Sequence, residues 1–599
     1  MLDFSFCHIN EIMMRRRSLR KELLAAEGLK DLRVAVLGGS TTNELVNFLE
    51  LLLLSSGFRP AFYQSEYGRF YEDAVQDSQE LIDFTPDLVY IHTSCRNVRL
   101  APPIGCTEAQ FNESVGRELG TFLEIWNSLE RNIGCQVIQS NFETPPYAIL
   151  GNMDAVAYGG LSRFLMQMNV AFAQEAAKRP KLIMQDVHGI SARLGVQNWF
   201  DWNRYWNYKL LLTAEANLEV ARSLTSIVRA MYGKSRKVLV LDLDNTLWGG
   251  VIGDDGVERI QIGRETPVAE AYTAFQEYCL SLRNRGVLLA VCSKNTEGIA
   301  KLGFEHPSSI LKLEDISCFK ANWDPKHENI HEIASELNLG VDSFVFVDDN
   351  PAERAIVQAQ LPQVAVPDVG SDVSRFAEII ERGRYFEPIA LSKEDLERAA
   401  LYADNSRRDA FKQTFANYGE YLDSLEMVAE IDHFKPWYLE RIAQLTNKTN
   451  QFNLTTRRYT LAEMEAISSD PRYIALYGKL SDRFGDNGLI SIVLGRRELD
   501  ALHMDLWLMS CRVLKRDMEV AMLDAVVERS LSAGIRRILG YYVPTPKNGM
   551  VADFYPKLGF EPHVNENPEL PERATVWKLD PANYKRKNQH IRVTEYANA

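Results

Sequence analysis

KVLVLDLDNTLWGG, residues 237–250, sets the reading of the whole chain. Val238 to Leu241 run without a polar break, as in a strand covered on both faces of a parallel sheet. The strand then delivers Asp242 and Asp244, two positions apart, at the end where open parallel sheets place their sites. One carboxylate there can attack as a nucleophile while the other moves a proton. Two carboxylates this close repel, so a cation is expected with them, and hard oxygen ligands suit Mg²⁺.

Two more strands end in the same kind of residue. Val287 to Cys292 lead into Ser293-Lys294-Asn295, a hydroxyl followed by backbone N–H groups at a helix start, which is a phosphate cradle. Phe344 to Val347 lead into Asp348-Asp349-Asn350-Pro351. Lys326 stands 22 residues before Asp348, at the start of a helix, where its ammonium can neutralise a bound phosphate and the attacking carboxylate. A lone D-x-D is usually a loop and a lone D-D usually a helix cap. In this order, each at a strand end, they specify a site.

DLDNT, Ser293, Lys326 and VDDNP together resemble the four motifs of the haloacid dehalogenase (HAD) superfamily. The resemblance implies a Rossmann-like parallel-sheet core. It makes Asp242 the nucleophile that forms an aspartyl phosphate, Asp244 the general acid/base, and Ser293 and Lys326 the phosphate binders. Mg²⁺ would be held by Asp242, the Asp244 carbonyl and the Asp348–Asp349 pair, with either member of the pair as ligand. The longer strings KVLVLDLDNTLWGGVIGDDG, NWDPKHENI (322–330), FVFVDDNPAER (344–354), LTNKTNQFNLTTRRYT (445–460) and SDRFGDNG (481–488) resemble the FkbH-like branch, linked to polyketide biosynthesis. That branch implies loss of phosphate from a small acyl donor such as 1,3-bisphosphoglycerate, and loading of the acyl group on an acyl carrier protein. A plain phosphatase acting on a small phosphate ester, or a non-catalytic assembly scaffold, are the other readings. A thiol relay would fall to Cys292, whose alternative is a buried core cysteine.

Thr246 to Pro267 is only about twenty residues, and Ser293 to Lys326 is 33, both too short for a folded cap. The site is expected to be open, with Trp248 and Trp323 at its rim.

Outward from this centre, residues 231–375 form the HAD-like domain, with further strands expected near 309–312 and 363–366. Short apolar strands alternate with helices over 1–230, which predicts a first α/β domain. It resembles SGNH-type hydrolases through Gly38-Gly39-Ser40, with Asn97 and His188 as possible partners. The closing D-x-x-H of that family is absent, so a scaffold is expected rather than an esterase. Residues 376–430 read as connecting helices. Residues 431–575 read as an α+β domain resembling GNAT-type acetyltransferases through FYPKLGF (554–560). Its pyrophosphate loop is replaced by Arg512-Val513-Leu514-Lys515-Arg516-Asp517, which makes acetyl-CoA binding doubtful. Residues 576–599 read as a polar tail.

The 599 residues carry a net charge of −14, with 46% hydrophobic and 25% charged residues, ordinary for a globular protein and poor for general binding of nucleic acid or anionic membrane. Eight scattered cysteines make neither a disulfide framework nor a zinc pattern, and no apolar run approaches a membrane span or a signal peptide. A cytoplasmic enzyme is expected. Arg457, Arg458, Lys515 and Arg516 are the basic residues proposed to dock an acidic carrier protein.

Overall fold

The computed structural model describes residues 9–594 except 77, 392–395, 397, 413, 450, 511–512, 546, 566–569 and 572. The chain divides into two units, Met1–Ala230 and Met231–Ala599.

In the first unit the apolar runs become β1 (Lys30–Gly38), β2 (Phe58–Gln64), β3 (Leu88–His92), β4 (Gln136–Ser140) and β5 (Leu182–Gln185). They pair in the order β2-β1-β3-β4-β5, all parallel. The chain leaves β1 toward one side and returns to the other, so a crevice opens at the carboxyl ends of β1 and β3.

The second unit carries two sheets. The first has the order β8-β7-β6-β9 and is wholly parallel: β6 (Val238–Leu241), β7 (Leu288–Ser293), β8 (Ile316–Ala321) and β9 (Phe344–Val347). Every residue of β6 and β9 is buried, as their unbroken apolar sequence requires. The two expected outer strands differ. Residues 309–311 are not a strand, because the Gln276 carboxamide takes the Ile310 and Leu311 N–H groups (2.9 and 3.1 Å). The strand forms later, at Ile316–Ala321. Residues 363–366 give only a bridge, with Phe346 N–H donating to the Ala365 carbonyl (2.8 Å).

The second sheet has eight strands in the order β15-β16-β14-β13-β12-β11-β10-β17. Strands β10 (Val428–His433), β11 (Tyr473–Asp482), β12 (Gly485–Glu498) and β13 (Ala501–Met509) are successively antiparallel. β13 then runs parallel to β14 (Arg537–Tyr542), but pairs with it only over Ala501–Met504, and the two diverge beyond. The remaining strands are β15 (Glu561–His563), β16 (Thr575–Leu579) and β17 (Arg592–Thr594). The expected tail is therefore structured: β16 pairs with β14 and β15, and β17 pairs with β10.

The helix Arg398–Lys412 belongs to both halves of this unit. Tyr402 is part of the apolar core under the four-stranded sheet. Ten ångströms of helix further on, roughly, Arg408 forms a buried two-pronged pair with Asp482 (2.9 and 2.8 Å). The connector is thus a strut anchored at each end, not a linker.

Candidate active site

Asp242 leaves β6 with its N–H bonded to the Val347 carbonyl (3.0 Å), which ties the ends of β6 and β9 together. This brings Asp242, Asp348 and Asp349 into one cluster, a carboxylate oxygen of each lying within 4.8 Å of the others; it is the one cluster of this kind among the described residues. Lys326, the first residue of its helix, buries its ammonium between two of them, 2.9 Å from Asp242 Oδ1 and 2.6 Å from Asp348 Oδ2. Burial alone lowers the pKa of this lysine, but the Asp242 and Asp348 charges outweigh it and the net direction is up. Burial, and then the Asp242 charge, push both Asp348 and Asp349 up. Three carboxylates against one ammonium leave an excess of negative charge that a divalent cation would relieve.

The geometry separates the acidic pair. Asp348 accepts from Lys326 at one oxygen and from Asn350 N–H at the other (2.8 Å). The Asp349 carboxylate accepts no hydrogen bond from another described residue, while its N–H donates to Thr246 Oγ1 (3.2 Å). Asp242 Oδ1 is buried without a directed donor despite its ion pair. The donor set therefore fits a hard cation, with Asp242 and Asp349 offering the free oxygens and Asp348 bound to the lysine.

Asp244 sits beside this cluster, half-buried, and is held by three donors. Trp248 Nε1 (2.9 Å) and Ile252 N–H (3.1 Å) reach Oδ1, and Asn295 Nδ2 (3.0 Å) reaches Oδ2. Burial is the largest influence on its pKa, and the net direction is up. Trp248 is fully buried against Phe304, over Gly303, where a Cβ would lie 2.5 Å from the indole. It is therefore not the rim residue expected from the sequence; Trp323 is 73% exposed.

Ser293 is buried at the end of β7, its hydroxyl bonded to no described residue and so free for an incoming oxygen. The other two residues of the expected cradle are engaged elsewhere. Lys294 pairs with Glu353 (2.6 Å), and the Asn295 amide is turned to Asp244. Cys292 is fully buried, its thiol directed at the Lys326 carbonyl (3.6 Å), and burial pushes its pKa up. A sealed, protonated thiol is no nucleophile, so the thiol-relay expectation falls. The roles of Trp248 and Asn295 toward Asp244 were not visible in the sequence, since neither spacing nor residue type marks them.

In the first unit Ser40 follows β1 at the crevice. Asn97, however, donates from Nδ2 to the Gly39 carbonyl (2.9 Å) and accepts the Ser94 N–H (2.9 Å), so it braces a turn. Gly39 is required there, because a Cβ would lie 2.2 Å from the Asn97 amide. His188 gives its backbone N–H to Asn141 (2.8 Å), and no hydrogen bond among the described residues joins it to Ser40.

In the C-terminal sheet the fork between β13 and β14 is filled by the chain itself. Leu454 N–H donates to the Trp507 carbonyl (3.1 Å), Met509 N–H to Phe452 (3.0 Å), and Val543 N–H to Leu454 (2.8 Å). Buried Asn548 fixes this inserted segment through the Asn453 carbonyl (2.9 Å). An extended ligand in the fork would have to displace these bonds. The nearby Glu519 carboxyl, in the first turn of its helix, is pushed up to about 7 by burial. Arg512 lies outside the described residues. Of the basic residues expected to dock a carrier, Lys515 is exposed and the others are engaged within the domain. Arg457 pairs with Asp505 (3.2 Å) and Arg516 with Asp482 (3.1 Å). Arg458 is half-buried and donates to the Thr446 and Thr449 carbonyls, and desolvation lowers its pKa to about 10.

A four-stranded parallel sheet with a D-x-D strand end, a buried lysine and a facing acidic pair defines a HAD-like phosphatase domain. The chain belongs to the family of the phosphatase-domain protein BF1531 from Bacteroides fragilis. The solved N-terminal part of that protein, complexed with Mg, is 32% identical; the match covers 63% of this chain and 99% of that one, with a TM-score of 0.58. The C-terminal part also aligns with small acetyltransferases. The ribosomal-protein-S18-alanine N-acetyltransferase from Escherichia coli matches at 12% identity over 27% of this chain and 99% of its own, with a TM-score of 0.21. A GNAT-family acetyltransferase from Streptococcus pneumoniae matches at 15% identity over 25% and 98%, also with a TM-score of 0.21. No protein-family model and no curated protein matches the chain.

Proposed function

We propose that the chain is a Mg²⁺-dependent HAD-type enzyme that takes the phosphoryl group from a small phosphorylated acyl donor and passes the acyl group to an acyl carrier protein. The observation that carries the phosphoryl half is the buried Asp242–Lys326–Asp348 arrangement, with Asp349 and Ser293 left free beside it. Bound Mg²⁺, held by Asp242 and Asp349, would supply charge for a phosphate oxygen. Asp242 attacks the phosphorus of the donor's phosphate ester through one carboxylate oxygen, and the ester P–O bond to the leaving oxygen breaks. Asp244 donates a proton to that oxygen, for which one of its three present donors must give way. Asp244 then takes a proton from water as the water attacks the aspartyl phosphate, which frees phosphate and restores Asp242. Lys326 and Ser293 hold the phosphoryl oxygens. The acyl group is passed separately, from the donor's acyl phosphate: the carrier thiol attacks the acyl carbon as its C–O bond breaks, and phosphate leaves with the thiol proton.

Chelation should abolish phosphate release, and Mg²⁺ should restore it. Rescue by Zn²⁺ alone would overturn the ligand set, which holds neither histidine nor cysteine.

The acyl half rests on the FkbH-like resemblance and on the short spacings Thr246–Pro267 and Ser293–Lys326, which leave no room for a folded cap. The six described cysteines are free thiols, in keeping with a cytoplasmic setting, and no helix among the described residues is long and apolar enough to cross a membrane. Truncation after Glu387 should preserve turnover of small phosphate esters and abolish carrier loading. That cut removes the strut whole, whereas a cut at 430 would keep Arg408 and leave it without Asp482. Mass analysis of a carrier incubated with an acyl phosphate and each protein decides. Absence of loading by the full chain favours the plain phosphatase; equal loading by both proteins removes the C-terminal domain from the reaction.

A further inference from the structure

The turn that carries the acidic pair presents two backbone carbonyls, those of Asp348 and Asp349. No ladder partner takes them. Both are taken by one side chain: Arg354 Nη1 lies 2.7 Å from the Asp348 carbonyl oxygen and 2.7 Å from that of Asp349. Its other terminal nitrogen, Nη2, donates to Asp368 Oδ1 at 2.6 Å. Arg354 is itself buried, at 8% exposure, and lies on the first turns of the helix Pro351–Gln360 that follows the pair.

The rest of the turn is fixed on its N–H side. Asp349 N–H donates to Thr246, Asn350 N–H to Asp348 Oδ1, and Ala352 N–H to Asn350 Oδ1 (3.0 Å). Only the carbonyl side depends on a long side chain. Rotation of either peptide would swing the Asp349 carboxylate, which no other described residue holds by a hydrogen bond. A planar guanidinium offers donors in a fixed fork, so it can fix both peptides at once, and an ammonium on a flexible stem cannot do this equally well.

We infer that Arg354, braced by Asp368, is a positioning residue for the metal site, setting the direction of the Asp349 carboxylate through its own peptide and that of Asp348. The inference rests on the reading of Asp242 and Asp349 as Mg²⁺ ligands. Arg354 touches neither substrate nor metal in this account. Groups behind the ligands of a metal typically change affinity by about 10- to 100-fold when removed.

The test is isothermal titration of Mg²⁺ into the metal-stripped full chain, beside thermal melts of the same metal-free samples. Arg354→Met should weaken Mg²⁺ binding about tenfold or more. Arg354→Lys should fall between it and the unaltered protein, and Asp368→Ala should weaken binding by a smaller factor. Metal-free melting should change far less across the series than Mg²⁺ affinity does. If Arg354→Met does not fold, Arg354→Lys and Asp368→Ala decide by the same ordering. Mg²⁺ affinity unchanged in the folded variants, or affinity lost only in step with melting temperature, overturns the inference. Failure of the unaltered protein to bind Mg²⁺ overturns the metal reading itself, a result distinct from unchanged affinity in the variants.

Discussion

Asp242→Asn keeps the fold and lowers phosphate release by on the order of 10⁴-fold or more, the scale seen when a covalent nucleophile is removed. The substitution is nearly isosteric, and the Asp242 N–H bond to Val347 that joins β6 to β9 is a backbone bond it leaves alone. Lys326 keeps Asp348 as a partner, so its charge is not stranded. What is lost is a nucleophilic oxygen and one charge toward the cation. Release of phosphate at saturating Mg²⁺, with circular dichroism as a control for folding, measures the effect. Activity above a few per cent of the unaltered enzyme would remove Asp242 from the nucleophile role.

Lys326→Met should be nearly as damaging to activity, on the order of 10³-fold, and should also change the response of stability to Mg²⁺. The methionine fills the space of the lysine stem but leaves Asp242, Asp348 and Asp349 facing one another without their internal cation. Removing one partner of a buried ion pair typically costs about 3–5 kcal/mol. The metal-free variant should therefore melt well below the metal-free parent. Provided the three carboxylates still bind Mg²⁺, the ion should raise its melting temperature more than it raises the parent's. Melts of the two proteins with chelator and with Mg²⁺ check this. Equal melting of the metal-free proteins would show that the lysine is not the counter-charge described, and activity within tenfold of the parent would take it out of the phosphoryl site.

The catalytic sheet could be read from sequence because its chemistry lies at the ends of strands that are apolar throughout. An unbroken run such as Val238–Leu241 can only be buried on both faces, and whatever follows it emerges at the sheet's carboxyl edge. Strand β8 lies later than the expected 309–312 because Ile316–Ala321 carries Ser317 and Lys320 and is only partly buried, while the Ile310-Leu311 pair is held by a glutamine from a distant helix. Partners of that kind depend on how close two elements come in space, which periodicity does not record. The same reason hid the turn of Asn295 toward Asp244, the clasp of Arg354, and the segment 452–454 in the β13–β14 fork. It also explains the basic residues. Arg458 and Arg516 read as surface charges, but Arg516 is buried against Asp482 and Arg458 is half-buried on backbone carbonyls. The tail was misread because β16 and β17 are short and interleaved with polar residues, and become strands only by pairing with β14 and β10.

The central claim is that phosphate passes through a covalent bond to Asp242. Acid quenching of the Mg²⁺-loaded enzyme during turnover of a small phosphate ester, followed by peptide mass spectrometry, addresses it most directly. The account predicts that the peptide containing residues 238–250 gains the mass of one phosphoryl group, located on Asp242, and that this gain is absent in Asp242→Asn. A phosphoryl group trapped on any other residue, or inversion of configuration at a chiral phosphorus, the mark of a single direct displacement by water rather than of two, would contradict it.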